Sequence, residues 1–269
     1  MTTTCYEYEE YIFNNPLLDI DATYIIHLIG NGRYDSIIKQ LHKFPISKKV
    51  FIVLNKGYKN CNKSISITKS TLDIIDVNLE IFKHAKEMKN ILILEDDFIF
   101  DNKILEIKHQ KNINYFIKNK IESDFIYYIG IIPIMLLPHD FYNYRLIIGI
   151  GAHSVIYSKK FREKTIKNIK NNEKIKIKDW DLYLNSSWSR YVYYIPLCYQ
   201  LFPHTENSNH WGDHNFILYY LAIFSKFIFE IIQLDKSITA YSYIYFLSKI
   251  IILFLLFILS VTVFAISGF

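Results

Sequence analysis

The sequence predicts an α/β fold, with a doubly wound and mostly parallel sheet, followed by a C-terminal transmembrane helix. Two strand–helix units precede an apolar run, Ile91 to Leu94, which ends in three acids. Alternation of this kind is typical of parallel strands joined by right-handed crossovers. Near the C-terminus, Ile250 to Ser267 contains 18 residues without a charge. As a helix this segment would be about 27 Å long, which is enough to cross a bilayer.

The elements before the acids alternate between strand and helix. The first predicted strand is Tyr24 to Leu28, and the turn at Gly30 to Gly32 opens a helix from about Arg33 to His42. Lys49 to Leu54 is the second strand, and a helix with an apolar stripe begins at Ser70. Each helix returns the chain, so that the next strand runs parallel to the last.

Further strands and helices are predicted after the acids. They are a helix from Lys103 to Ile121, a strand from Asp124 to Ile129 closed by Gly130, a strand from Leu146 to Tyr157, a helix from about Lys159 and a strand from Tyr191 to Ile195. The strand from Leu146 to Tyr157 has small residues in its middle. Glycines inside a strand often mark the close approach of a ligand or of another backbone segment.

The three acids, Glu95, Asp96 and Asp97, follow the buried strand at the edge where open α/β sheets bind ligands. Adjacent carboxylates repel one another and need a counter-ion, and oxygen ligands favour Mg²⁺ or Mn²⁺ over zinc. A divalent ion held there can bridge a diphosphate. The alternative is a strand that ends in a solvated acidic turn.

Composition narrows the partners and the compartment. The net charge of +5 comes from lysines spread along the chain, which predicts no nucleic-acid partner. The three cysteines favour a reducing compartment over a disulfide framework. The N-terminus has no basic segment before an apolar core, and Lys236 and Lys249 precede the uncharged span. We therefore expect a single-pass tail anchor, with the body of the protein in the cytoplasm.

The order of these motifs resembles glycosyltransferase family 25, from about Thr23 to Trp211. The motifs are the Arg33 turn, the acids Glu95 to Asp97, the strand ending in Gly130, the small-residue strand with Gly151 to Ser154, the Asp179-Trp180-Asp181 segment, and Pro196 to Gln200. Asn55 to Cys61 and Leu92 to Phe98 look still more like glycosyltransferase-like proteins of large DNA viruses.

The resemblance implies a GT-A-like fold and a metal-dependent transfer of a hexose. The donor is expected to be a nucleoside-diphosphate sugar, in the first place a UDP-sugar, and the acceptor a hydroxyl of a glycan, protein or lipid. Mn²⁺ or Mg²⁺ is the implied cofactor. Asp97 is the first choice of metal ligand and Asp96 the second, while Glu95 and Asp96 are also expected to contact the donor.

The resemblance also assigns roles outside the acidic run. Asp181 and Asp179 are the candidates for the base that deprotonates the acceptor, with a helix N-cap as the alternative at Asp179. Arg33, Lys56 and His153 are expected to contact the donor. For His153 a hydrogen-bonded structural histidine is the alternative.

The predicted domains are a catalytic domain at 1–214, an interfacial helix and linker at 215–242, and the membrane anchor at 243–269. A single histidine among His204, His210 and His214 is expected to complete the metal shell, rather than a zinc site. Two rival functions remain open. One is a metal-dependent phosphohydrolase or nucleotidyltransferase that uses the same acids, and the other is an inactive membrane-tethered scaffold.

Overall fold

The computed structural model describes residues 4–63, 67–121, 123–171, 177, 179–201, 220, 223, 227–234 and 236–266. The strands are β1 (Tyr6–Ile12), β2 (Ala22–Leu28), β3 (Lys49–Asn55), β4 (Asn90–Glu95), β5 (Phe98–Phe100), β6 (Ile126–Pro138), β7 (Asn143–Ser158), β8 (Arg190–Tyr193) and β9 (Cys198–Gln200). The helices are α1 (Tyr34–Lys43), α2 (Ser70–His84), α3 (Ile107–Asn119), α4 (Lys159–Asn171), α5 (Trp180–Asn185) and α6 (Ile238–Ile266), with a 3₁₀ turn at Asn102–Leu105.

Seven strands form one mixed sheet in the order β1-β3-β2-β4-β7-β6-β8. The strands β3, β2 and β4 are parallel to one another, and β8 is parallel to β6. In contrast, β1 is antiparallel to β3, and β7 is antiparallel to β4, β6 and β8. The prediction of a mostly parallel sheet is therefore wrong. The antiparallel pairing of β6 with β7 arises from a hairpin. Only four residues join the two strands, and so short a connection can only link antiparallel strands.

The edge strand β1 was not predicted from the sequence. Its alternation of tyrosine and glutamate gives no apolar run, and its residues alternate between partly buried and exposed. Strand β1 is held in the sheet because it pairs along its whole length with β3, from Tyr6 opposite Asn55 to Ile12 opposite Lys49. Tertiary pairing rather than local hydrophobicity thus decides its conformation.

Apolar side chains cover both faces of the central strands. On β2, Ile25 packs in one buried cluster with residues of α1 and α3, while Tyr24 and Ile26 pack in another with residues of α2 and α4. Successive residues of a strand point to opposite faces, so both clusters draw on the same short strands. This explains why β2, β3 and β4 read as nearly unbroken apolar runs.

The C-terminal helix α6 belongs to the domain through its first turns. Tyr241, Tyr245 and Ser248 are buried, and Lys249 Nζ donates a hydrogen bond to the Tyr194 carbonyl at 2.7 Å. In the part of the chain that the structure describes, no helix is long and apolar enough to cross a membrane. The predicted C-terminal transmembrane helix is therefore wrong. The prediction counted uncharged residues from Ile250 onward and did not reveal that Tyr245 and Ser248, earlier in the same helix, are buried.

The prediction that the cysteines stay reduced is also wrong for two of the three. Cys5, just before β1, forms a disulfide with Cys61, in the loop after β3. Their Cα atoms are 5.7 Å apart, within the usual range for a disulfide. Cys198 is a buried free thiol. Pairing of β1 with β3 brings the two distant cysteines together, and the sequence alone did not reveal that pairing.

Candidate functional site

The candidate site lies where β4 ends, at the carboxyl edge of the parallel strands β2, β3 and β4. Glu95 is the last residue of β4, and Asp96 and Asp97 form the turn that leads into β5. Strand β9 pairs with β5 and places Gln200 opposite Phe98. The long strand β7 pairs with β4 through Ser154 and then continues past its end. The acids are therefore enclosed by β7 on one side and by β9 on another.

Asp96 anchors the turn between β2 and α1. Its Oδ2 accepts hydrogen bonds from Leu28 N at 3.2 Å and from Asn31 Nδ2, and it lies 3.3 Å from His27 Nδ1. Its Oδ1 accepts from Arg33 Nη1 at 2.5 Å. Burial alone would raise the pKa of Asp96, but the hydrogen bond to His27, the charge of Arg33 and the other donors lower it. Both oxygens are thus engaged by protein donors, and we expect Asp96 to hold this turn rather than a metal ion.

Asp97 is the acid that the described protein groups leave incompletely bonded. It is only 6% exposed, and no donor among the described residues reaches its Oδ1. Burial, together with the charge of Asp96, raises the pKa of Asp97 to about 6, against the lowering effects of Arg33 and Gln200. A buried carboxylate oxygen without a partner is costly, so it calls for a ligand with positive charge or a hydrogen-bond donor.

Glu95 is held by Gln200, whose Nε2 donates to Glu95 Oε2 at 2.9 Å. Burial and then the negative charges of Asp97, Asp181 and Asp96 raise the pKa of Glu95 well above its usual value. The effect of Asp181 shows that the acid of α5 belongs to the same electrostatic cluster. Carboxyl groups of the β4–β5 turn and of α5, which are far apart in sequence, therefore lie close enough to influence one another's protonation.

Asp181 lies in the first turn of α5 and binds the backbone of β7. Its Oδ2 accepts from Gly151 N at 2.7 Å and its Oδ1 from Ala152 N at 3.1 Å. Gly151 has a φ of +73°, a conformation that glycine adopts without strain. Burial and the charge of Asp179 raise the pKa of Asp181 to about 6, although the two backbone hydrogen bonds lower it. This carboxylate is thus oriented by fixed donors, and the residue as a whole is half-buried.

Asp179 takes the alternative role considered for it, because it is the N-cap of α5. Its Oδ1 accepts a hydrogen bond from Leu182 N at 2.9 Å. At the other end of the helix, Asn185 donates from Nδ2 to the Gly149 carbonyl at 2.8 Å. Helix α5 is thereby docked on β7 at both of its ends. Of the two predicted candidates for the base, Asp181 is the one bound to the strand beside the cleft.

His153 is fully buried between two strands. Its Nδ1 lies 2.8 Å from the Gly151 carbonyl and its Nε2 3.4 Å from the Cys198 carbonyl. Burial lowers the pKa of His153 to about 4, so the ring is neutral at physiological pH. His153 therefore matches the alternative given for it in the sequence analysis, a hydrogen-bonded structural histidine. His153 links β7 to β9, and it has no exposed surface with which to contact a nucleotide-sugar donor.

Arg33 and Lys56 are the other residues predicted to contact the nucleotide-sugar donor. They lie in the loops after β2 and β3. Arg33 is bound to Asp96, although 21% of its side chain remains exposed. Lys56 Nζ donates to the Thr4 carbonyl at 3.0 Å and pairs with Glu7 at 2.8 Å. The structure therefore brings Arg33 to the acids, whereas Lys56 ties its loop to the N-terminal segment.

A second buried polar cluster surrounds Lys63, beside the disulfide. The Lys63 side chain is 1% exposed, and its Nζ donates to Tyr6 Oη at 2.7 Å, to Asn55 Oδ1 at 2.8 Å and to Asp73 Oδ1. Asn55 Nδ2 donates to the second oxygen of Asp73 at 2.9 Å. These bonds fix the loop after β3 to β1 and to the start of α2, so the cluster has a structural role.

No group of three or more histidine, cysteine, aspartate or glutamate side chains within the described ranges is arranged to hold a metal ion. The predicted histidines His204, His210 and His214 lie outside those ranges, as do residues 215–219, 221–222, 224–226 and 235 of the predicted interfacial helix and linker. Asp97 nevertheless meets the chemical requirement for one ligand, a buried carboxylate oxygen without a partner. The site therefore fits an ion that takes part of its coordination from a bound anionic ligand.

Three residues of the site were not among the predicted site residues. They are His27 and Asn31, which contact Asp96, and Gln200, which contacts Glu95. Gln200 stood at the end of the last motif of the family resemblance, and this was the signal that could have found it. His27 and Asn31 belong to none of the motifs that carry the resemblance, although His27 lies in the first predicted strand and Asn31 in the turn that follows it.

Comparison with known proteins adds little to this description. No family model matches the chain, and no curated protein matches it. Among solved structures, the chain is similar to A197 from STIV, with 17% sequence identity and a TM-score of 0.39 over 64% of this chain and 80% of that one. We draw no functional argument from so low a similarity.

Proposed function

We propose that this chain is a metal-dependent glycosyltransferase that moves a hexose from a nucleoside-diphosphate sugar, in the first place a UDP-sugar, to an acceptor hydroxyl. The observation that carries the proposal is the buried oxygen of Asp97 that no described donor reaches, together with the Asp181 carboxylate, which two backbone N–H groups orient and which acts on the same neighbour, Glu95. One acid is available for a cation, and the other is oriented by backbone donors. Glycosyl transfer to a hydroxyl uses both kinds of group.

Asp97 would hold Mn²⁺ or Mg²⁺ through its free oxygen. When bound there, such an ion would supply positive charge to the departing diphosphate, so that the protein would not need to protonate it. Asp97 brings a single carboxylate, and Asp96 is engaged by Arg33, Asn31 and Leu28. A site with so few protein charges depends on the diphosphate oxygens of the donor for the rest of its coordination. We therefore expect ion and donor to bind together.

Asp181 would accept the proton of the acceptor hydroxyl. A general base works best when its pKa lies near the working pH, and burial raises the pKa of Asp181 to about 6. The N–H groups of Gly151 and Ala152 fix both of its oxygens, which restricts the side chain to one orientation. Asp179 is engaged as the N-cap of α5, so we assign it a structural role.

The acids favour this function over a phosphohydrolase or nucleotidyltransferase with two metal ions. Two-metal sites hold ions about 3.5–4 Å apart and need several carboxylates free to bridge them. Here Asp96 is bonded at both oxygens, and Asp181 is bonded to β7 through both of its own. The scaffold alternative does not account for a buried carboxylate oxygen that lacks a partner.

The test is product analysis with a panel of nucleoside-diphosphate sugars and Mn²⁺. Glycosyl transfer, or slow transfer to water, releases intact nucleoside diphosphate, whereas a phosphohydrolase cleaves the diphosphate and releases nucleoside monophosphate and sugar phosphate. Asp97→Asn should abolish the release of nucleoside diphosphate, and Asp35→Asn, which changes an exposed acid of α1, should leave it unchanged. Release of sugar phosphate would favour the hydrolase, and a lack of turnover with every donor would favour the scaffold.

A further inference from the structure

Tyr241 lies on the buried face of α6, whereas Tyr243, two residues further along the helix, is exposed. Its exposed fraction is 0%, against 66% for Tyr243. Its hydroxyl accepts a hydrogen bond from Gln200 N at 3.3 Å. The ring meets His153 edge-on, with 5.8 Å between centroids, and lies 6.1 Å from Tyr199. Tyr241 thus packs against β9 through its contacts with Tyr199 and Gln200.

Strand β9 has only three residues, so it depends on contacts from its surroundings. It pairs with β5 alone in a two-stranded sheet. Next to it, Leu197 N donates to the Ile129 carbonyl at 2.8 Å, and Leu201 N donates to the Asp97 carbonyl at 3.1 Å. A short two-stranded ribbon is marginally stable without further packing. Tyr241 and His153 provide that packing.

Gln200 connects Tyr241 with the acids. Its backbone N–H is bound to Tyr241, and its side-chain Nε2 is bound to Glu95 at 2.9 Å. Its side chain also lies beside the left-handed turn of β7, since a Cβ added to Gly151 would be 3.8 Å from Gln200 Oε1. A shift of β9 would therefore move the group that holds Glu95 next to Asp97.

We propose that Tyr241 is a positioning residue for the nucleotide site: its hydroxyl holds Gln200 so that Gln200 orients Glu95 beside Asp97. This inference rests on the proposed function, because it assumes that these acids bind a nucleotide with a metal ion. It also gives the C-terminal helix a role in the site. The sequence predicted Tyr241 in a linker and the helix from residue 243 onward as a membrane anchor, both outside the catalytic domain.

Removal of the hydroxyl has a defined consequence. In Tyr241→Phe the ring stays in place, and the packing against His153 and Tyr199 is kept. The backbone N–H of Gln200, which is buried, then has no acceptor, so β9 moves to find one. Loss of such a buried hydrogen bond corresponds to a change of about tenfold in an equilibrium constant. We expect this change in the affinity for nucleotide.

The experiment uses the full chain and measures binding of UDP in the presence of Mn²⁺ by calorimetry. Tyr241→Phe should weaken binding about tenfold, and Gln200→Met should weaken it at least as much. The double variant should be no weaker than Gln200→Met, because a positioning residue has no effect once the residue it positions is gone. Tyr243→Phe, an exposed change on the same helix, is the matched control and should bind as the wild type does.

Thermal unfolding of each variant separates positioning from general loss of stability. A Tyr241→Phe protein that unfolds at a lower temperature but binds Mn²⁺ and UDP normally would overturn the inference. Effects of Tyr241→Phe and Gln200→Met that multiply in the double variant would overturn it as well. If the wild type binds no UDP with Mn²⁺, the proposed function itself fails and this inference falls with it, so the two failures are distinguishable.

Discussion

Removal of the disulfide between Cys5 and Cys61 should destabilise the protein by a predictable amount. The two cysteines are separated by 56 positions, so the bond closes a long loop in the unfolded chain. The chain-entropy relation for a loop of that length gives about 4 kcal/mol at 25 °C. In the folded state the same segments stay joined by the buried bonds of Lys63 to Tyr6 and Asn55. We therefore expect the reduced protein to keep its fold, with a lower free energy of unfolding.

For a chain of this size, about 4 kcal/mol corresponds to a fall of roughly 10 °C in the unfolding temperature. The measurement is thermal unfolding of the wild type with and without a phosphine reductant, and of the Cys5→Ser/Cys61→Ser variant. Reductant should lower the unfolding temperature of the wild type and leave the double variant unchanged. Titration of thiols in denaturant should find one thiol before reduction. Three thiols before reduction, or a double variant as stable as the wild type, would refute the reasoning.

Four further substitutions test other parts of the structure. Wild-type turnover should decline as the pH falls through about 6, where Asp181 and Asp97 both become protonated. Asp181→Asn should lower turnover throughout the range from pH 5 to pH 8, whereas Asp179→Asn should retain activity because asparagine is an equally good N-cap. Steady-state rates over that range decide between them. Lys63→Met should cost about 3–5 kcal/mol in urea unfolding by leaving a buried carboxylate of α2 unpaired, and the exposed pair of Lys83 should contribute less than about 1 kcal/mol. Gly130→Ala should weaken nucleotide binding, because the new Cβ would lie 2.3 Å from a backbone oxygen of β9, and unchanged calorimetric affinity would argue against that account.

The acids show what could be predicted from the sequence and what could not. The apolar run before Glu95 identified a buried strand and placed three acids at its end, and the structure has β4 end there. The family resemblance made Asp97 the first choice of metal ligand and Asp96 the second, and it gave Glu95 and Asp96 contacts with the donor. Their roles diverge because the partners come from elsewhere: Asn31 and Arg33 are bound to Asp96, whereas the free oxygen of Asp97 faces no donor among the described residues.

The largest errors arose where tertiary contacts override local pattern. Strand β1 is rich in tyrosine and glutamate, so its hydrophobic pattern did not predict a strand. Without that strand, the sequence did not predict that Cys5 lies close to Cys61. Helix α6 contains the uncharged run from which a membrane span was predicted, yet its first turns place Tyr241 and Tyr245 in buried clusters of the domain. A sequence pattern reports the polarity of side chains, and the partner that covers them depends on the whole fold.

The central claim is that Asp97 binds a divalent ion jointly with a nucleoside diphosphate. The most direct measurement is a calorimetric titration of UDP with and without Mn²⁺, on the wild type and on Asp97→Asn. We expect Mn²⁺ to raise the affinity of the wild type for UDP by about tenfold or more, a coupling between two ligands of ordinary size. Asp97→Asn should bind UDP weakly and with no response to Mn²⁺. Equal affinity for UDP with and without Mn²⁺ in the wild type, or an unchanged response to Mn²⁺ in Asp97→Asn, would contradict the claim.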